Sequence, residues 1–155
     1  MILTVLGSGT VHPDPQRGGP SYLVTHQDAH LMLDAGPVAT RGLRRAGLSQ
    51  PDLDGVCITH RHPVHPCELG LILELGKTLG RTRPLVVAGP AVLDELIAFL
   101  MNWARPAPSR GAIFSIWARA SFSPCSVVSA LVRYPAMAPG SLASASSWAL
   151  DRAMR

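Results

Sequence analysis

Thr59-His60-Arg61-His62-Pro63-Val64-His65 follows an apolar run, Val56-Cys57-Ile58, that is typical of a buried strand. Three imidazoles therefore fall within six positions, in a loop at a strand end. Neutral imidazole is the commonest protein metal ligand, and a catalytic zinc site uses three protein ligands and keeps a position open for water. A chance cluster of histidines in a polar loop is the alternative, and the spacing favours a metal-binding loop.

The composition describes a globular chain rather than a disordered one. Of its 155 residues, 47% are hydrophobic and 15% are charged, which suffices for one domain with a real core. The net charge of +4 arises entirely after residue 105, because residues 1–105 carry nine basic and nine acidic side chains. The net positive charge therefore does not indicate a nucleic-acid-binding groove on the domain. The low aromatic content of 5% also leaves few side chains on which bases could stack.

Cysteine usage and the N-terminus bear on the compartment. The three cysteines are odd in number and unpatterned, so we expect no disulfide framework. The N-terminus, Met1-Ile2-Leu3-Thr4-Val5-Leu6, lacks a charged segment ahead of its apolar run, and no apolar run is long enough to cross a bilayer. We expect a cytoplasmic protein without a membrane partner.

Strand and helix patterns alternate along the first two thirds of the chain. Short apolar runs with β-branched residues predict strands, and apolar spacing of three and four predicts helices, with Pro90 favourable in the first turn of the last one. The predicted strands cover residues 2–6, 21–25, 31–33, 56–58 and 85–87, and the predicted helices cover residues 38–46, 68–79 and 91–103. This order indicates a layered α/β domain.

The composition changes abruptly after Arg105. Residues 106–155 contain eleven Ala, ten Ser and five Pro, but no Lys, Glu or His. Periodicity is weak there, although residues 127–132 form a short apolar run. We therefore predict a domain over residues 1–105 and a biased tail over residues 106–155, either disordered or translated out of the ancestral frame.

Several polar residues admit two interpretations. Asp34 ends a strand before Ala35-Gly36, where a carboxylate often only accepts hydrogen bonds from loop amides. Arg17, in a loop rich in proline and glycine, either meets an anion or is solvated, and solvation is favoured. The arginines of the 38–46 helix are interpreted as a solvated face, and Cys67 as a buried thiol rather than an extra ligand.

Taken together, these motifs resemble the metallo-β-lactamase superfamily, and within it the branch of ribonuclease Z. The resemblance covers residues 1–104 and rests on four motifs in order. The first is Leu6-Gly7-Ser8-Gly9 with Arg17 and Pro20-Ser21-Tyr22-Leu23, and the second is Leu33-Asp34-Ala35-Gly36. The third is Ile58-Thr59-His60-Arg61-His62 with His65, and the fourth is Gly80-Arg81-Thr82-Arg83-Pro84 through Gly89-Pro90. It implies the N-terminal half of a four-layer αβ/βα sandwich, with a dinuclear metal site, usually zinc, at the strand ends.

The resemblance also implies roles for individual residues. His60 and His62 would ligate a first zinc and His65 a second, while Asp34 would brace the histidine loop. The reaction would be hydrolysis of a phosphodiester or another ester by metal-activated water. A homodimer is a further implication, and nucleic acid enters as a substrate only through this resemblance.

The chain departs from the family pattern at two points. The motif normally carries an aspartate just before its last histidine, and Val64 stands there, so no catalytic residue is identifiable. The family takes two further histidines and an aspartate from its C-terminal half. In this chain no histidine follows His65. We therefore expect an impaired metal-dependent hydrolase from a truncated or frame-shifted member. The alternative is a non-catalytic remnant that binds at most one metal ion weakly.

Overall fold

A computed structural model of the chain describes residues 1–103, 116–117 and 127–132. The strands are β1 (Ile2–Gly7), β2 (Ser21–His26), β3 (Ala29–Leu33), β4 (Gly55–Cys57), β5 (Leu85–Pro90), β6 (Ile116–Trp117) and β7 (Val127–Val132). The helices are α1 (Ala39–Arg45), α2 (Leu69–Thr78) and α3 (Leu93–Trp103), with a 3₁₀ turn at Gln50–Asp52. The predicted α/β order is confirmed.

One sheet with strand order β1-β2-β3-β4-β5-β7-β6 carries the fold. β1, β2 and β3 pair antiparallel, whereas β3, β4 and β5 pair parallel. The carboxyl ends of β3, β4 and β5 therefore share one edge of the sheet, and β1 ends at that edge too. Parallel connections of this kind are right-handed, which puts α1 and α2 on the same face of the sheet.

The core lies between this face and the helices. One register row across four strands is buried, and it packs against buried side chains from all three helices. The row consists of Leu23, Met32, Val56 and Val87, and the helical partners include Leu43, Ile72 and Ile97. The inward-facing side chains of the strands, which recur every second residue, therefore pack against the apolar faces of the helices, which recur every three or four residues.

The opposite face of the sheet is open in the part of the chain that the structure describes. Leu3, Leu31 and Val86 share a second register row and are 62%, 40% and 43% exposed. The described residues thus form one helical layer on one sheet. This is the expected half of a four-layer sandwich.

Two details differ from the sequence predictions. β5 continues through Gly89 to Pro90, because it pairs antiparallel with β7 over its whole length, and α3 begins only at Leu93. Pro90 therefore ends a strand. The sequence prediction, which put it in the first turn of a helix, is wrong. The apolar run at residues 127–132 is the partner strand β7.

The predicted division into residues 1–105 and 106–155 stays a prediction. Apart from β6 and β7, the second segment lies outside the described residues. Among the helices that are described, none has the length and apolar character needed to cross a bilayer.

Candidate metal centre

The histidine loop and Asp34 lie at the carboxyl ends of neighbouring parallel strands. Asp34 follows β3 and the loop follows β4, and Leu33 pairs with Cys57 in the register of these strands. Backbone hydrogen bonds continue the pairing past the strand ends, from Asp34 N to Cys57 O at 2.8 Å and from Ile58 N to Ala88 O at 2.8 Å. The topology therefore brings together the two motifs that are 25 residues or more apart in sequence.

The Asp34 carboxylate contacts both the start and the end of the histidine loop. It is 3% exposed, and its Oδ1 accepts hydrogen bonds from the backbone amide and the hydroxyl of Thr59 at 2.8 and 3.0 Å. Its Oδ2 lies 2.8 Å from Nδ1 of His65. Asp34 has a φ of 59°, a left-handed conformation that Asp and Asn tolerate better than other side chains. Asp34 therefore accepts a hydrogen bond from a loop amide and contacts His65, and its role in bracing a metal ligand stays a prediction.

The contact with Asp34 orients the ring of His65. An ionised carboxylate only accepts hydrogen bonds, so Nδ1 of His65 is the donor to Asp34 Oδ2, and Nε2 lies outside this contact. A carboxylate on the far nitrogen is a recurrent support for metal-ligating histidines. The His60 ring centroid lies 3.9 Å from that of His65 and 5.6 Å from that of His62, and Nδ1 of His60 is 3.1 Å from the Thr59 hydroxyl.

Backbone hydrogen bonds hold the histidine loop on both sides. The amide of Ala35 donates to His65 O at 2.7 Å, and the amide of Glu68 donates to Ala35 O at 2.7 Å. Within the loop, the amide of His65 donates to His62 O at 2.9 Å. The loop shape is therefore fixed by the main chain as well as by Asp34.

Glu68 is a structural residue of the site that the sequence analysis missed. Its carboxylate accepts hydrogen bonds from the amides of Val38 and Thr40 at 2.5 and 2.8 Å, and from the Thr40 hydroxyl at 2.8 Å. It thus caps the start of α1 from 28 residues away in sequence. Val38 has a φ of 64°, which is strained for a β-branched residue and is held by this cap. No local pattern signals such a distant cap.

The two cysteines near the loop differ in environment. Burial, together with the nearby Asp34 carboxylate, raises the pKa of the Cys57 thiol. Cys67 is exposed, so its prediction as a buried thiol is wrong. It lies two residues after His65 and directly before Glu68, where the chain turns at the surface before α2 begins.

The donor set does not complete a zinc site from the described residues. Within this part of the chain, no group of three or more His, Cys, Asp or Glu side chains is arranged to hold a metal ion. Val64 occupies the position before His65 where a carboxylate would add a donor, and an isopropyl group coordinates nothing. The structure brings His60, His62, His65 and Asp34 into one place, and their role as a metal centre stays a prediction.

A histidine loop at the carboxyl edge of a mixed sheet, braced by a buried aspartate and backed by one layer of helices, defines a metallo-β-lactamase-fold protein of the ribonuclease Z-like kind. Solved structures share this fold. Human tRNase Z, short form (ELAC1), superposes with a TM-score of 0.58 at 25% identity over 66% of this chain and 39% of that one. The metallo-β-lactamase fold protein YhfI from Bacillus subtilis gives a TM-score of 0.55 at 19% identity over 83% of this chain and 55% of its own.

Sequence comparison identifies the family. The profile of the anti-Pycsar protein Apyc1 family matches residues 1–86, and the chain belongs to that family. Ribonuclease Z of Pyrococcus abyssi is 32% identical over 104 residues, or 67% of this chain and 34% of the relative. Ribonuclease Z of Mycobacterium marinum is 37% identical over 103 residues, or 64% and 37%. The chain thus spans about a third of the length of these curated relatives, and the similarity supports a ribonuclease Z-like ancestry.

Proposed function

We propose that this chain is an impaired, ribonuclease Z-like metal-dependent phosphodiesterase whose histidine loop retains part of a zinc site. The observation that carries the proposal is the 2.8 Å contact between Asp34 Oδ2 and His65 Nδ1 beside a loop that has Val64 in place of a carboxylate. The contact supports retained metal-binding geometry, and the valine supports weakened chemistry.

The side chains of the loop have separable tasks in this proposal. Asp34 holds the proton of His65 on Nδ1 and leaves Nε2 available as a metal ligand. Thr59 ties the start of the loop to the same carboxylate. His60 and His62 are exposed and can reach a ligand from solvent. The ring of His60 lies beside that of His65, and their Nε2 atoms are candidate donors to one ion.

The proposed impairment has two sources, which are the missing carboxylate at position 64 and the lack of any histidine after His65 in the sequence. A group at position 64 would lie next to His65 and could accept a proton during hydrolysis, which valine cannot do. Asp34 does not replace it, since its oxygens are already engaged by Thr59 and His65 and are buried. The described residues therefore lack a free carboxylate within the loop itself.

The substrate and setting are proposed from the relatives. Ribonuclease Z and tRNase Z act on RNA by name, so the proposed substrate class is a phosphodiester. The proposed setting is the cytoplasm. The proposed assembly is a homodimer through the open face of the sheet, where Leu3, Leu31 and Val86 are exposed.

A second candidate is a non-catalytic remnant. The absence of a three-donor group among the described residues favours it, because a catalytic zinc site needs three protein ligands. The remnant would bind at most one metal ion weakly and would not turn over a substrate, so metal stoichiometry and turnover together separate the two candidates.

Zinc titration with parallel hydrolysis of bis(p-nitrophenyl) phosphate tests both candidates. The double variant His60→Ala/His65→Ala removes the loop donors, and His26→Ala removes an exposed histidine at the end of β2 as a matched control. One weak equivalent of zinc with slow turnover, lost in the double variant and kept in the control, supports the impaired enzyme. Weak zinc without turnover supports the remnant, and two tightly held equivalents contradict both.

A further inference from the structure

A small polar cavity lies at the end of β1, against α1. It measures about 140 Å³ and is lined mainly by polar atoms of the β1 end, the following loop and α1. A single buried water needs only about 10–15 Å³, so the cavity has room for a tetrahedral oxyanion with part of its hydration. Its lining residues include Ser8, Gln16, Arg17, Arg41 and Arg45.

Three arginines from two separate segments line this cavity. Arg17 comes from the proline- and glycine-rich loop, and Arg41 and Arg45 are one helical turn apart on α1. In the described residues, none of the three has a carboxylate within ion-pair distance. The ion pairs found there are His65 with Asp34, Lys77 with Glu74 and Arg83 with Asp54. All three arginines are exposed, so water screens their mutual repulsion, and an anion between them would lower it further.

The carboxylate nearest in sequence to Arg17 is already occupied. Asp14 Oδ1 accepts hydrogen bonds from the backbone amides of Gln16 and Arg17 at 2.7 and 3.0 Å, so it shapes the loop. The loop is also tied to β1, because the amide of Gly9 donates to Gly18 O at 2.7 Å. Arg17 is therefore brought to α1 by a braced loop.

We propose that this cavity binds a phosphate group through Arg17, Arg41 and Arg45. Guanidinium groups favour phosphate because their planar donors match its oxygens and they stay charged at every relevant pH. The phosphate comes either from free inorganic phosphate or from a nucleic-acid backbone, and both offer the same tetrahedral anion. The site is separate from the proposed function, since none of its arginines belongs to the histidine loop.

The test is calorimetric titration of the whole chain with inorganic phosphate at low ionic strength. Arg45→Gln should weaken binding about tenfold, as expected for loss of one charged hydrogen-bonding group. Arg44→Gln is the matched control, because Arg44 is the neighbouring exposed arginine of α1 but lines a different cavity, with Leu71 and Leu75. The control should bind phosphate within about twofold of the parent.

A second titration with a short single-stranded RNA identifies the source of the phosphate. Tighter binding of RNA than of phosphate, weakened by Arg17→Gln and Arg45→Gln alike, supports a nucleic-acid backbone. Phosphate binding with no competition by RNA supports a free phosphate. Failure of phosphate to saturate the parent, or equal weakening by Arg44→Gln and Arg45→Gln, overturns the proposal. Unchanged unfolding midpoints and zinc binding in the variants show that neither the fold nor the histidine loop is responsible.

Discussion

The carboxylate of Glu68 receives two hydrogen bonds from Thr40, one from its amide and one from its hydroxyl, both at 2.8 Å. Glu68 directly precedes α2, and Thr40 is in the first turn of α1. One side chain therefore joins the two helices that follow Asp34 and the histidine loop.

Replacing Glu68 should lower the free energy of unfolding. Glu68→Ala leaves the amides of Val38 and Thr40 without their acceptor, and we expect a loss of about 2–3 kcal/mol because hydrogen bonds to a charged group are involved. Glu74→Ala on the same helix removes only a partly exposed pair with Lys77 at 3.6 Å, and should cost less than about 0.5 kcal/mol. Urea denaturation of both variants checks this, and equal losses would disprove the cap.

Asp34 should control the protonated nitrogen of His65. In Asp34→Asn the neutral amide holds the imidazole less strongly, and weakened orientation should lower zinc affinity by about 10–100-fold. Asn tolerates the φ of 59°, whereas Asp34→Ala adds backbone strain and should lower stability as well. Nitrogen-15 spectra of the His65 ring together with zinc titration test this. An unchanged tautomer population and unchanged affinity in Asp34→Asn would count against it.

Restoring the carboxylate at position 64 should improve binding without restoring hydrolysis. Val64→Asp adds a donor beside His65, so zinc affinity should rise. Turnover of a simple phosphodiester should stay at the parent level, because no histidine follows His65 in the sequence to complete a second ion's ligands. Val64→Asn is the control, because Asn has the size of Asp but carries no charge. Clear hydrolysis by Val64→Asp alone would show that this account is wrong.

The 3₁₀ turn should make stability depend on pH. The hydroxyl and amide of Ser49 donate to Asp52 Oδ2 at 2.8 and 2.7 Å, and these bonds lower the pKa of Asp52. The folded pKa is below the unfolded one, so the stabilisation is present at neutral pH and is lost as the pH falls through the folded pKa. Asp52→Asn should cost about 1 kcal/mol at pH 7 and converge with the parent in acid. Denaturant titrations across pH, with exposed Asp28→Asn as control, measure this, and a pH-independent difference would refute it.

The open face of the sheet should drive self-association. Leu31→Lys places a charge in the exposed apolar row with Leu3 and Val86 and should shift the chain toward monomer in sedimentation experiments. Leu71 is 48% exposed on α2, on the other side of the sheet, so Leu71→Lys is the matched control. An identical shift with both variants would assign the association to general hydrophobicity.

The sequence was sufficient for most of the strands and helices, because apolar runs and helical spacing predict them. That Asp34 lies against the histidine loop was implied only by the family resemblance, because periodicity does not give the order or direction of strands in a sheet. The Glu68 cap and the arginine cavity were not predictable. They depend on the path of loops and on contacts across 28 residues, which local periodicity does not encode. Pro90 was misassigned because its strand continues only through pairing with the distant β7.

The main-chain bonds on either side of the histidine loop separate its shape from its chemistry. The backbone bonds of Ala35 and Glu68 hold the loop in addition to the contact between the His65 imidazole and Asp34. Side chains of the loop can therefore be replaced without removing these main-chain bonds. The same property would let new side chains be installed in the loop while its main-chain path is kept.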